Sequence, residues 1–157
     1  MKPWLTSWST RVPNHWQKQV EADLIRDVRL GVLERVPFGE PVSWCHRMVV
    51  TRKQDGSPRR TVDLSPLNKY CKRETCATDT PFKLARRIPK GTFKTVTDAW
   101  NGYHGVPLRE SDKHLTTFIT PFGRFRYTRA PQGFVSSGDG YNRRFAAILS
   151  DFERKES

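Results

Sequence analysis

The chain has 157 residues, which fits one domain, and only 36% of them are hydrophobic. With 28 Lys and Arg against 16 Asp and Glu, the formal net charge is +12, which favours a polyanionic partner. No long apolar segment is present, so the expected polyanion is nucleic acid and no membrane partner is expected. A basic protein without such a partner is the alternative.

The chain has three cysteines, Cys45, Cys71 and Cys76, and no secretory signal precedes them. Because their number is odd, they are expected to be free thiols in an intracellular, reducing compartment. A zinc site built from cysteines and histidines is disfavoured, because the sequence has neither a Cys-x-x-Cys pair nor two histidines at the spacing of a zinc finger.

The first elements are predicted to be scaffolding. Residues 1–13 lack periodicity and are predicted to form an N-terminal arm. Asn14 is predicted to cap a helix, with Gln17 in the capping-box position, and Gly31 is expected to end that helix. The charged residues of the helix, Asp27 among them, are expected on its solvated face. Its apolar positions recur at helical spacing: Trp16, Val20, Leu24, Ile25 and Val28.

A β-hairpin is predicted next, with strands at residues 47–51 and 61–64 and an Asp-Gly turn at residues 55–56. Residues 52–60 between the strands are expected to form a long basic loop. Cations held on paired strands suit phosphate binding, because they lose little further freedom when they bind. A solvated, charged hairpin tip is the alternative.

A carboxylate, Asp98, follows a predicted strand. Residues 80–88 form a short predicted helix, and residues 95–97 have the composition of a buried strand that ends at Asp98. The Asn-Gly pair at residues 101–102 then turns the chain. A strand fixes such a carboxylate while the following loop leaves it open to substrate, which suits a metal ligand. From the residues alone, a carboxylate that caps the turn is the alternative.

Residues 116–128 are predicted to form a second hairpin. Alternation in its second strand predicts that Phe125 and Tyr127 point inward. The intervening Arg124 and Arg126 are then expected to point outward.

The chain ends in a predicted helix. A turn at residues 129–134 and a loop at residues 136–140 are expected to precede it. The apolar positions that form one stripe on this helix are Tyr141, Phe145, Ile148, Leu149 and Phe152.

Three segments occur in a fixed order. The basic hairpin is followed by Val-Asp-Leu at residues 62–64, then Asp98 is followed by Gly-Tyr-His at residues 102–104, and Pro-Gln-Gly-Phe comes last at residues 131–134. Together they resemble the reverse transcriptases of LTR retrotransposons, in particular those of gypsy-type elements, and the likeness covers residues 11–157.

The resemblance implies an α+β fold with an antiparallel sheet and packed helices. In the right-hand arrangement of polymerases, residues 14–157 would form a reverse transcriptase fragment. Its fingers would span about residues 14–93 and a partial palm about residues 94–157.

The resemblance also implies template-directed DNA synthesis from dNTPs on an RNA or DNA template-primer, by nucleotidyl transfer in the full-length parent. Asp98 would be the catalytic, metal-binding carboxylate and the carbonyl of Ala99 a further ligand. Two Mg²⁺ (or Mn²⁺) ions about 4 Å apart are expected in the complete enzyme. Mg²⁺ prefers oxygen ligands and is bound only weakly by His and Cys.

Six residues would form the dNTP pocket: Lys53, Arg59, Asn101, Gly102, Tyr103 and Gln132. Lys53 and Arg59 would hold the triphosphate, and backbone N–H groups of residues 101–102 would face its phosphates. Tyr103 would exclude a ribose 2′-hydroxyl, with an ordinary core position as the alternative. Gln132 would contact the new base pair and its sugar.

Four arginines are expected to contact the nucleic-acid backbone: Arg52, Arg60, Arg124 and Arg126. For Arg52 and Arg60, contact with solvent is the alternative.

The sequence departs from the family pattern in two places. Ala130 stands where the family has leucine before Pro-Gln-Gly. The adjacent acidic pair that supplies the family's other metal ligands is absent, since no two neighbouring residues after Asp98 are both acidic. The chain is therefore expected to be a fragment of a Pol polyprotein, inactive and aggregation-prone alone, with its thumb, RNase H and integrase segments elsewhere.

Two alternatives remain beside the polymerase. One is a catalytically inactive nucleic-acid-binding remnant, and the other is a structural or regulatory protein recruited by the host.

Overall fold

The computed structural model describes residues 4–5, 11–73, 75, 79–93, 95 and 98–153. Six strands are present in this part of the chain: β1 (Trp4–Leu5), β2 (Leu33–Arg35), β3 (Trp44–Arg52), β4 (Pro58–Asp63), β5 (Phe118–Thr120) and β6 (Gly123–Tyr127). The α-helices are α1 (Gln17–Arg29), α2 (Ser65–Asn68), α3 (Pro81–Arg87) and α4 (Ser137–Glu153). Short 3₁₀ helices span Asn14–Trp16, Gly102–Gly105 and Glu110–Thr116. None of the described helices is long and apolar enough to cross a membrane.

The strands form one sheet in the order β1-β3-β5-β6-β2, with β4 paired to β3. The two predicted hairpins, β3–β4 and β5–β6, are antiparallel, and so is the pair β2–β6, which was not predicted. Strand β3 is parallel to both β1 and β5, contrary to the antiparallel sheet that was expected. The sheet is therefore mixed, and the α+β class is confirmed. Strand β1 lies within the predicted N-terminal arm and pairs with Trp44 and Cys45.

The first hairpin has a shorter loop than predicted. Its register runs from Arg47 opposite Asp63 to Arg52 opposite Pro58, so only residues 53–57 connect the strands. The Asp55 carboxylate accepts hydrogen bonds from the backbone and side chain of Ser57, at 2.9 and 2.6 Å, which closes the turn. The long loop predicted at residues 52–60 is wrong, because Arg59 and Arg60 belong to β4.

The core lies between α1 and the sheet. Val20 and Leu24 of α1 and Met48 of β3 are buried. Phe118 and Phe125 are opposite each other in the β5–β6 register and stack with ring centroids 6.0 Å apart. Phe125 and Tyr127 point inward, as the alternation predicted.

Helices α1 and α4 begin differently from the predictions. Asn14 does not cap α1 but lies in a 3₁₀ turn, where its side chain accepts a hydrogen bond from Gln17 at 3.2 Å. The loop predicted at residues 136–140 is largely the first turn of α4, whose start is fixed by a 2.7 Å hydrogen bond from the Ser137 hydroxyl to the Pro131 carbonyl. The helix predicted at residues 80–88 is confirmed as α3, with Thr80 as its N-cap.

The strand predicted before Asp98 is not confirmed. Thr95 and Asp98 have no regular secondary structure, and Val96 and Thr97 lie outside the described residues. Cys76 also lies outside them.

His46 should make the stability of the chain depend on pH. Its side chain is buried, and its Nε2 lies 2.9 Å from the carbonyl oxygen of Leu115. Burial lowers the pKa of His46, so the folded chain favours the neutral ring. The free energy of unfolding should therefore be highest above about pH 6.5 and fall as the pH drops below that value, where the unfolded chain binds the proton first.

Thermal unfolding of the wild type and of His46→Gln at several pH values between neutral and mildly acidic checks this prediction. The fall in Tm on acidification should be smaller in His46→Gln than in the wild type. A residual fall is expected from His104, whose pKa burial also lowers. The exposed His114 supplies the control substitution, His114→Gln. Equal Tm losses in the wild type and His46→Gln would contradict the assignment.

Candidate functional site

The chain turns sharply just after Asp98. Asn101 has φ 50° and ψ 40°, a left-handed conformation that Asn tolerates better than most residues. The N–H of Gly102 donates to the carbonyl of Ala99 at 3.3 Å, and the N–H of His104 donates to the carbonyl of Asn101 at 2.9 Å. Asp98 itself is exposed, at the mouth of this turn.

A row of aromatic rings on α4 packs against the turn. The ring of Tyr141 makes an edge contact with Tyr103 at a centroid distance of 5.9 Å, and it stacks on Phe145 at the same distance. A Cβ atom at Gly102 would lie 2.8 Å from Cε2 of Tyr141. The sequence therefore needs glycine here for α4 to approach the turn so closely.

Gly102→Ala should destabilise the chain by about 1–3 kcal/mol, because the added methyl group overlaps the Tyr141 ring. Gly105→Ala in the same 3₁₀ helix is the matched control, since its Cβ atom would meet nothing within 4 Å. Urea denaturation of the two variants measures the difference. Equal urea midpoints for the two variants would show that α4 can move away from residue 102 without loss of stability.

The first cavity lies beside Asp98 and has a volume of about 530 Å³. Its described lining is Asp98, Ala99, Asn101, Gly102, Tyr103, Gln132, Tyr141, Asn142 and Phe145. The first six are residues that the sequence assigned to metal or dNTP binding, and the structure brings them together. The last three were missed: Tyr141 and Phe145 were taken as an apolar helix stripe, and nothing in the sequence singles out Asn142.

The second cavity, of about 360 Å³, is lined by cations of the first hairpin, namely Lys53, Arg59 and Arg60. Asn101 and Gln132 line both cavities, so the two adjoin. Asp98 lines only the first cavity, and Lys53 and Arg59 line only the second. The second cavity thus has an excess of cations, four against the carboxylates of Asp23 and Asp27, and the first carries the carboxylate of Asp98.

The residues of this site do not fit two magnesium ions by themselves. Asp98 is the only carboxylate among the described residues that line the first cavity, and no group of three His, Cys, Asp or Glu that could hold a metal occurs in the described part of the chain. Two dications need several anionic oxygens. The N–H of Gly102, which was expected to face the phosphates of a dNTP, donates in this structure to the carbonyl oxygen of Ala99 at 3.3 Å.

Two of the four arginines expected to contact nucleic acid are held by carboxylates. Arg126 lies between Glu34 and Glu40, with 2.7 Å between its Nη1 and the Glu40 oxygen, and these carboxylates raise its pKa. Arg60 pairs with Asp27. The prediction that Asp27 is solvated is wrong, because its side chain is buried.

The other two predicted arginines are nearer the surface. Arg124 donates to the carbonyl of Pro37 at 3.0 Å, and Arg52 is exposed. Nucleic-acid contact by any of the four arginines stays a prediction.

The fold is that of a reverse transcriptase. The chain is similar to the crystal structure of prototype foamy virus protease–reverse transcriptase, with a TM-score of 0.82 and 19% identity over 96% of this chain and 20% of that one. It is also similar to the foamy viral enzyme in complex with an RNA/DNA hybrid, with a TM-score of 0.73 and 15% identity over 96% of this chain and 19% of that one. No protein-family model matches the chain.

Comparison of sequences gives a more specific relationship than comparison of folds. It is 32% identical to the transposon Tf2-3 polyprotein of Schizosaccharomyces pombe over 116 residues, which are 74% of this chain and 8% of that polyprotein. The chain thus spans less than a tenth of the length of this curated relative. Its sequence is thus similar to a retrotransposon polyprotein and its fold to a reverse transcriptase, which supports the reverse transcriptase domain of a gypsy-type Pol polyprotein that the sequence motifs predicted.

Proposed function

We propose that the chain supplies the fingers and part of the palm of an RNA-directed DNA polymerase, which in the complete Pol polyprotein adds nucleotides from dNTPs to a primer. The adjoining cavities carry this proposal. Asn101 and Gln132 line both cavities. The cavity with the excess of cations suits a triphosphate, and the other contains Asp98, Tyr103 and a glycine turn. A dNTP has the same division between a polyanionic end and a less charged sugar and base.

The proposed pose follows from charge and shape. The phosphates lie against Lys53 and Arg59, because cations fixed at the base of a short hairpin loop pay little entropy to bind them. The sugar lies against Tyr103, whose ring is held edge-on by Tyr141 and so forms a wall toward the ribose 2′ position. Gln132 is exposed between the two cavities, within reach of the base and sugar.

A divalent metal and a template-primer belong to the same proposal. Asp98 would contribute one carboxylate, and the remaining anionic ligands must come from outside the described residues. Magnesium suits such an oxygen site, where it neutralises the phosphates of the reacting nucleotide. Nucleic acid as a partner is supported by the net charge of +12 and by the related fold of an enzyme bound to an RNA/DNA hybrid. An intracellular location completes the proposal.

A chimera tests the proposed activity. Residues of this chain replace the aligned segment of the Tf2-3 polyprotein, and the purified chimera is assayed for primer extension on an RNA template with dNTPs and Mg²⁺. Extension that is lost in the Lys53→Met/Arg59→Met variant supports the proposal. A folded chimera that binds template-primer but adds no nucleotide contradicts it.

A second candidate function is nucleic-acid binding without chemistry, favoured by the single carboxylate of the first cavity. The 157-residue chain should bind an RNA·DNA duplex with an affinity that falls steeply as salt rises, because phosphate contacts release counterions. Fluorescence anisotropy between about 50 and 200 mM salt gives the slope of log K against log [salt]. A slope near zero would exclude phosphate-driven binding, whereas extension by the chimera would exclude a binding-only role.

A further inference from the structure

A largely buried ion pair forms part of the wall of the cavity that Lys53 and Arg59 line. Asp27 of α1 and Arg60 of β4 line this cavity, and their side chains are 13% and 15% exposed. The sequence pattern placed both of them at the surface. The pair joins residues that are 33 positions apart, and its hydrogen bond runs from Nη2 of Arg60 to Oδ2 of Asp27.

The guanidinium of Arg60 is not fully satisfied by this partner. Its Nη1 is buried and has no hydrogen-bond partner among the described residues. A buried N–H without an acceptor costs free energy, and a buried ion pair stabilises a fold well only when its other donors are also bonded. One side of the Arg60 fork is therefore left without an acceptor, and it can gain one only when the guanidinium shifts away from its present contact with Asp27.

The neighbours of the pair favour an anionic ligand. Lys53 and Arg59 line the same cavity and bring two further positive charges. Tyr127, also in the lining, is buried, and burial raises its pKa to about 12, so it adds no negative charge at neutral pH. A phosphate oxygen accepts charge-assisted hydrogen bonds from a guanidinium as a carboxylate does. Asp27 thus occupies the position on Arg60 that a phosphate could take.

We propose that Asp27 is a built-in competitor of the nucleotide triphosphate: it holds Arg60 in the cavity wall, and an entering polyphosphate replaces it as the acceptor of the Arg60 guanidinium. This inference rests on the proposed function, to which it adds a third phosphate-binding cation and a residue that regulates it. Arg60 is then a residue that binds the polyphosphate, and Asp27 is a residue that positions the Arg60 side chain. No covalent step is involved.

Asp23 and Arg26 provide matched controls. They line the same cavity, pair with each other at 2.9 Å, and have side chains that are 28% and 60% exposed. Asp23→Asn removes the same charge from the cavity as Asp27→Asn, but without releasing Arg60. Arg26→Met likewise removes one positive charge from the cavity while leaving Arg60 in place, although Nη2 of Arg26 also lies 3.4 Å from Oδ1 of Asp27.

The probe is inorganic tripolyphosphate, titrated calorimetrically into the 157-residue chain at low ionic strength. Asp27→Asn should tighten binding about tenfold, the worth of one hydrogen bond to a charged group, while Asp23→Asn should tighten it only about twofold. In an Arg60→Met background, Asp27→Asn should give only the twofold gain. Arg60→Met alone should weaken binding more than Arg26→Met.

Equal gains from Asp27→Asn and Asp23→Asn overturn the inference. Because Asp27→Asn leaves a buried Arg60 without its counterion and can unfold the chain, the wild type provides a second measurement. Its Arg60 Nε–Hε NMR signal should shift with tripolyphosphate in step with the amide of Lys53, and an unmoved signal overturns the inference. Binding that depends on Lys53 and Arg59 but not on Asp27 leaves the proposed function standing, whereas no binding at all overturns both.

Discussion

Phe118→Ala should lower the free energy of unfolding by about 3–5 kcal/mol, a large share of the stability of an ordinary domain. Phe118 is fully buried at the centre of the sheet, where its ring lies 6.0 Å from that of Phe125 and 5.5 Å from that of Tyr127. Its strand also pairs with β3 at His46. Truncation removes a large apolar surface and leaves a cavity that this network of paired strands cannot close.

Urea denaturation followed by far-UV circular dichroism measures the effect. Phe38→Ala is the control, because Phe38 is fully exposed and its truncation should change the free energy of unfolding by no more than about 0.5 kcal/mol. A loss below about 1 kcal/mol for Phe118→Ala would mean that the sheet repacks, contrary to the core assigned to it.

The sequence allowed the local parts of this core to be predicted. Period-two alternation placed Phe125 and Tyr127 inward because they alternate with Arg124 and Arg126, and helical spacing located α1. The parallel pairing of β3 with β5 could not be predicted this way, because it joins residues that are about 70 positions apart. Alternation shows which face of a strand is buried, but it does not identify the neighbouring strand.

Charged residues were predicted less well than apolar ones. Asp27 and Arg60 are charged residue types that are usually solvated, yet their side chains pair with each other and are only 13% and 15% exposed. Arg126 is similarly neutralised by Glu34 and Glu40. Such pairs depend on tertiary contacts, and a periodicity argument assigns every charge to solvent by default.

The site itself was predicted through its motifs more than through its local structure. The turn after Asp98 and the Pro-Gln-Gly segment meet in one cavity, as the resemblance implied. The aromatic contribution of α4 was missed, because Tyr141 and Phe145 match a helix stripe equally well. Gly102 was the available clue, since a glycine after a left-handed Asn indicates a close approach by another element.

The 157-residue chain should extend no primer. Among its described residues only Asp98 brings a carboxylate to the first cavity, and no adjacent acidic pair follows it in the sequence. One carboxylate compensates two dications poorly, so several kcal/mol of transition-state stabilisation are missing. Incorporation on an RNA template with dNTPs and Mg²⁺ should equal that of Asp98→Asn, and any excess over this variant would overturn the expectation.

In the chimera with the Tf2-3 polyprotein, by contrast, Asp98→Asn should reduce primer extension by a factor of about 10²–10⁴, which corresponds to several kcal/mol of lost transition-state stabilisation. Asn keeps the shape of the side chain but removes the carboxylate that the described residues bring to the first cavity. Because Asp98 is exposed, the variant should fold and bind template-primer as the parent does.

Single-turnover extension, with template-primer affinity measured in parallel, separates chemistry from binding. Asp112→Asn is the matched control, since Asp112 is an exposed carboxylate of the Glu110–Thr116 helix and is not among the described residues that line either cavity. If both variants extend the primer equally well, Asp98 is no part of the catalytic centre, and the adjoining cavities would then bind a nucleotide for some purpose other than polymerisation.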